Sequence, residues 1–147
     1  MQSEESRYDR GLDTMRAIFG PGIESALKGL AATSPNLVRC LAEFPFGDIY
    51  PRPGLDLKTR EMLTVAALTV LGYPQAELKE HIRGALNVGC TRDEILEIIL
   101  QMAVYAGFPA ALEAANACDQ AKVQVLKADT EEAFTLAERR MRLLCSE

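Results

Sequence analysis

GLDLKTREMLTVAALTVLG, residues 54–72, and QAELKEHIRGALNVGCTRDEILEIILQMAVYAGFPAALEAA, residues 75–115, decide the fold. Apolar residues recur in both at helical spacing, and no stretch shows a convincing strand-like alternation. Asp56 is placed to cap the first helix and Gly72 to end it, with Met62, Leu63, Ala66, Ala67 and Val70 predicted to face inward. A second helix, Gln75 to Val88, should bury Leu78, Ile82, Ala85 and Leu86 and close on Gly89. Thr91 and Glu94 form a T-x-x-E capping box opening a third, Arg92 to Ala106. That helix is apolar nearly all round, which predicts a central helix or one shared with a partner subunit. Gly107-Phe108-Pro109 should break it before an Ala-rich helix from Ala110 to about Lys127.

Outward from this block the helical period continues. Tyr8, Leu12, Met15, Ile18 and Phe19 mark a helix that stops at Gly20-Pro21, and a short one follows from Gly22 to Ala32. Ser34-Pro35 reads as an N-cap with proline at the first helical position, and Leu37, Val38, Leu41 and Phe44 as the buried stripe behind it. The segment from Phe44 to Gly54 should be irregular, because Pro45, Pro51 and Pro53 are poor helix-interior residues. Asp129-Thr130 should start a last segment in which Phe134, Leu136, Ala137, Met141 and Leu144 pack on a neighbour. The expected architecture is all-α: one helical domain over residues 1–127 and an additional C-terminal helix over 128–147.

A chain of 147 residues is long enough to bury a core without disulfide or metal staples. Its net charge of −5 argues against a general nucleic-acid binder, whose phosphate contacts need a basic face. No window reaches 18 uninterrupted apolar residues, so no membrane span is expected. MQSEESRYDR has no apolar leader, and Cys40, Cys90, Cys118 and Cys145 form no CxxC pair. They read as reduced thiols in a cytoplasmic protein.

His81 is the only histidine, and it alone can exchange a proton near neutral pH without a large shift. Glu77 lies one turn earlier on the same helix face and could orient the ring. Glu61, set in an apolar run beside Met62 and Leu63, either points inward or is a first-turn glutamate favoured by the helix dipole. Cys90 could be acidified at a helix start, but reads better as a small buried residue at a turn. One histidine and scattered cysteines offer no metal-ligand spacing, and there is no phosphate loop or nucleophile elbow.

The run Glu77 to Ile95, ELKEHIRGALNVGCTRDEI, resembles the core of the carboxymuconolactone decarboxylases. So does Gln101 to Ala111, QMAVYAGFPAA, together with the upstream pieces Arg7-Tyr8, Gly11-Leu12, Gly47 to Tyr50, Arg52 to Leu55 and Thr59-Arg60. The resemblance implies a helical bundle of the alkylhydroperoxidase-D-like type in a ring-like homo-oligomer, a hexamer or trimer. It also implies a cofactor-free, metal-free lyase of aromatic acid breakdown. Its substrate would be 4-carboxymuconolactone or a related small carboxylated lactone, an anion whose CO₂ loss leaves a dienolate. Carried over to this chain, the catalytic candidates are His81, Glu61 and Glu77, and the substrate contacts Arg52, Asp48, Tyr50 and Tyr105. Phe46 and Tyr50 stand where the family loop usually has tryptophans, and Glu61 where many decarboxylases have serine. A glutamate there is typical of the wider superfamily, but Pro74 and Glu77 replace that superfamily's CxxC cysteines. The alternatives are an antioxidant, peroxiredoxin-like protein without that pair, or a non-enzymatic oligomer that binds a small acid.

Overall fold

The computed structural model describes the backbone of residues 6–144 and side chains up to Ala121, together with Thr135. The tail positions expected to pack on a neighbour, and Cys145, therefore lie outside the described side chains. The regular elements of the described backbone are all helices: α1 (Arg7–Phe19), α2 (Ile23–Thr33), α3 (Pro35–Leu41), a π-helical segment (Ala42–Ile49), α4 (Leu57–Leu71), α5 (Gln75–Asn87) and α6 (Arg92–Leu144).

The capping signals work as local chemistry requires. Asp56 Oδ1 accepts from the Thr59 amide at 2.7 Å, and Gly72 ends α4 in the left-handed region at φ 74°. The Thr91–Glu94 box closes in both directions, at 2.7 and 3.1 Å. Ser34, by contrast, precedes α3 without a side-chain cap bond.

α6 turns back on itself. Gly107 sits at φ 81° inside it, and Arg92 Nη2 lies 2.6 Å from Asp119 Oδ1. A straight helix would hold those residues roughly 40 Å apart. The two limbs therefore run side by side, with Pro109 in the first turn of the second limb, where its missing N–H is harmless. Arg92–Ala121 is long and apolar enough to cross a membrane by length and composition, a candidate the sequence reading did not expect. Folded at Gly107, it is not one straight rod. The expected start at Asp129 is no boundary either, since helix continues through it.

Two apolar clusters hold the chain together. One joins α4, α5 and both limbs of α6 through Val65, Leu78, Ile82, Ile95, Ile99 and Cys118. The other joins α1, α2, α3 and the π-helical segment through Met15, Ile18, Leu27, Val38, Ala42 and Phe46. Their seam is the contact of α1 with α5, where Asn87 Nδ2 donates to the Ile18 carbonyl at 2.9 Å.

Three expectations need correction. The buried row of α4 is Glu61, Val65 and Thr69, while Leu63 and Val70 are exposed. α4 is apolar on several sides, so periodicity alone could not select its inner face. Leu37 and Phe44 are exposed too, and Val38, Ala42 and Phe46 take the inward places. Lastly, Phe44–Gly54 is not wholly irregular. Ala42–Ile49 winds as a π-helix with Pro45 inside it, and the Tyr50 amide bonds the Pro45 carbonyl at 2.9 Å. The wider i→i+5 turn tolerates a ring that an α-helix interior would reject.

Candidate functional site

Glu61, from the buried row of α4, and His81, from the middle of α5, meet across the interface of the two helices. His81 Nδ1 lies 2.9 Å from Glu61 Oε2, with the glutamate side chain 0% exposed and the imidazole 18%. An ionised carboxylate can only accept, so the shared proton belongs on Nδ1 and Nε2 is left for a ligand. The second carboxylate oxygen, Oε1, is buried with no hydrogen-bond partner among the described residues, as is Arg60 Nε.

α1 supplies the third side. The Phe19 ring meets the imidazole edge-on, with centroids 5.3 Å apart and planes at 76°, and Phe46 packs on Phe19 at 5.7 Å. Tyr50 continues this stack at 4.9 Å from Phe46, and its hydroxyl lies 2.7 Å from Thr64 Oγ1. Burial, with the nearby Glu61 carboxylate also acting against ionisation, pushes the Tyr50 phenol up to about 12.

Gly84 makes the close approach possible. A Cβ there would stand 2.6 Å from Ile18 Cγ2, 3.1 Å from Glu61 Oε2 and 3.1 Å from Phe19 Cε1. The glycine lies one helical turn past His81, so α1, α4 and α5 converge at one point.

A cleft of about 460 Å³ opens beside this pair, walled by Met15, Phe19, Leu27 and Phe46, with His81 and Glu77 at its edge. The structure thus brings His81 together with Glu61. Glu77 borders the same cleft, but it is exposed and, among the described residues, makes no bond to the imidazole. Arg52 lines a different hollow, of about 590 Å³, with Tyr50 and Asp56. Asp48 is occupied by α1: Arg7 Nε donates to it at 3.0 Å and Arg10 lies 3.7 Å away. The Arg7 guanidinium holds its carboxyl below the usual range. Tyr105 is 73% exposed on α6. A larger hollow, about 800 Å³ over α4 and α6, is lined by none of the catalytic or substrate-contact candidates.

Phe19, Thr64 and Gly84 are not among the site residues expected from sequence, and Phe46 figures there only as a departure from the family's loop. Gly84 carries a signal of its own, a glycine inside a helix one turn after the sole histidine. The thiols take no part in the pair. Cys90 and Cys118 are buried, Cys40 is exposed, and burial pushes the Cys90 thiol up rather than down. Among the described residues, no three His, Cys, Asp or Glu side chains are grouped to hold a metal ion.

The sequence profile of the carboxymuconolactone decarboxylase family matches residues 35–120. A 4-carboxymuconolactone decarboxylase of Acinetobacter baylyi is 33% identical over 119 residues, 80% of this chain and 88% of the relative. A nitrosuccinic acid decarboxylase of Metarhizium robertsii is 35% identical over 108 residues, covering 73% of this chain and 75% of its own length. An uncharacterized 15.0 kDa protein of Paracoccus denitrificans is 37% identical over 98 residues, 65% of this chain and 73% of the relative.

Proposed function

The chain belongs to the carboxymuconolactone decarboxylase family, and from that premise we propose that it is a cofactor-free decarboxylase of a small anionic acid. The observation that carries the reading is the 2.9 Å pair of His81 with the buried Glu61 at the edge of an apolar cleft. The reaction it suits is loss of CO₂ from a carbon next to an electron sink, with the electron pair moving into a lactone carbonyl or a comparable group. A nitro group is such a sink, and the two named decarboxylase relatives bracket these chemistries.

The site's part is then a proton. As imidazolium, His81 is bonded through Nδ1–H to Glu61 and donates from Nε2–H to the carbanion carbon. Glu61 stabilises the cation and fixes the ring, and Phe19 prevents its rotation. Apolar walls solvate a localised carboxylate poorly and a delocalised anion less so, which favours the transition state over bound substrate. Arg52 lies outside the cleft of the single chain and takes no step in this scheme. Neither does Asp48, whose ion pairs tie the π-helical segment to α1.

The proposal includes a homo-oligomer, a hexamer or trimer, acting in the cytoplasm. Exposed Leu63, Leu71, Leu100, Val104, Tyr105 and Phe108 on α4 and α6 support an assembly that covers them. Mass measurement by light scattering tests it, and a monomer at micromolar concentration would remove it.

The activity is tested by CO₂ release from a panel of 4-carboxymuconolactone, related carboxylated lactones and nitro acids. Turnover of one of them, lost in Glu61→Gln, supports the reading; silence across both classes in the folded protein refutes it.

A further inference from the structure

The mechanism above uses one oxygen of Glu61 and leaves the other, Oε1, buried without a partner. Thr64 lies one turn along α4 from Glu61 and so shares its face. Thr64 Oγ1 is 2.7 Å from the Tyr50 hydroxyl and 3.0 Å from the Arg60 carbonyl, and it has a single proton to give. If that proton goes to the Arg60 carbonyl, Tyr50 must donate to Thr64, and Oε1 gains nothing. If it goes to Tyr50, the phenol proton is released toward the Glu61 carboxylate, whose charge acts against ionisation of Tyr50. A bond to a buried carboxylate is charge-assisted, whereas the Arg60 carbonyl loses only a second, neutral one. The second arrangement therefore wins whenever Glu61 is ionised.

Resting on the decarboxylase reading, we propose that Tyr50 is a positioning residue for the Glu61–His81 pair, donating to Glu61 Oε1 through a hydroxyl orientation that Thr64 sets. It thus acts through the carboxylate rather than by touching substrate. The charged and titratable neighbours of the pair are few. Arg60, 5.9 Å over the Tyr50 ring, comes from α4, Cys90, whose thiol feels the Glu61 charge, lies just after α5, and Glu77, Lys79 and Glu80 come from α5 around the cleft. The α1 wall contributes only Met15, Ile18 and Phe19.

Two variants test this, Tyr50→Phe and Thr64→Val, with Thr64→Ser as the conservative control that keeps the hydroxyl. The readouts are kcat and KM on whichever acid the wild type decarboxylates, and the NMR titration of the ring protons of His81, unambiguous because the chain has one histidine. Without the donor to Oε1 the carboxylate holds its proton partner harder, so the apparent pKa of the pair rises in Tyr50→Phe. In the same variant kcat falls about ten- to a hundredfold, the range for a hydrogen bond to a charged group, with KM little changed. Thr64→Val should move both readouts in the same direction, and Thr64→Ser neither. An unmoved His81 titration with wild-type kcat in Tyr50→Phe overturns the proposal, as does a change confined to KM, which would make Tyr50 a substrate contact. The titration needs no substrate. A wild type that decarboxylates nothing therefore defeats the functional reading, while the shift still decides the role of Tyr50.

Discussion

Gly84→Ala sets two calculable effects against each other. Alanine at a helix interior is favoured over glycine by about 0.8–1.0 kcal/mol from propensity alone. Against this, the new methyl would stand 2.6 Å from Ile18 Cγ2, about 1 Å inside ordinary carbon contact. Ile18 is wholly buried and cannot swing away, so α1 and α5 must separate. Overpacking of that kind costs typically 1–3 kcal/mol. The balance is a net loss of about 0–2 kcal/mol, or up to roughly 8 °C in Tm for a domain of this size. Activity should suffer more, because the same methyl lies 3.1 Å from the Glu61 oxygen that holds His81. The assay is thermal unfolding beside CO₂ release, with Gly29→Ala as control. Gly29 is a helical glycine with nothing within 4 Å of its would-be Cβ, so alanine there should stabilise and leave turnover intact. If Gly84→Ala stabilises as Gly29→Ala does and keeps full turnover, the three-helix convergence is not what holds the site.

Further outcomes follow from the same contacts. Burial holds the Tyr50 phenol neutral to about 12, so the difference in alkaline absorbance between wild type and Tyr50→Phe should show an ionisation near that pH rather than near 10. Because the folded value lies above the unfolded one, the stabilisation is complete below about pH 10 and is lost as pH rises toward 12. Asp48, paired with Arg7, and Glu94, paired with Lys58, are shifted the other way, so their contribution is present at neutral pH and fades as pH falls below about 4. Urea midpoints of Asp48→Asn should accordingly lie below wild type at pH 7 and converge with it in acid. Replacing all four cysteines with alanine should leave CO₂ release unchanged, since burial raises the Cys90 thiol and no cysteine among the described residues borders the His81 cleft. Loss of turnover in a folded variant would reopen thiol chemistry.

What the chain discloses on reading is what neighbouring residues decide among themselves. Asp56, Gly72, the Thr91–Glu94 box and Gly107 are local devices, and each stands where its chemistry puts it. The inner face of α4 is different. With apolar residues on several sides, a row led by Glu61 looks like the surface until α5 is packed on it. Glu77 was visible as a partner for His81 because four residues along a helix is a distance the sequence itself displays. Glu61 is 20 residues away on another helix, and only the α4–α5 packing makes it the bonded carboxylate. The π-helical turn around Pro45 had no readable signal, and the family resemblance, not periodicity, brought the loop residues into question. Of those, Asp48 is bound to α1 and Arg52 faces another hollow, so a motif match did not bring them to the cleft.

The central claim is that the imidazole of His81, held by Glu61, delivers the proton that replaces CO₂. Its most direct test is CO₂ release by His81→Ala, with circular dichroism and particle mass recorded on the same preparation. Loss of turnover in a variant whose fold and assembly match wild type is the expected result. Full turnover in that variant would contradict it.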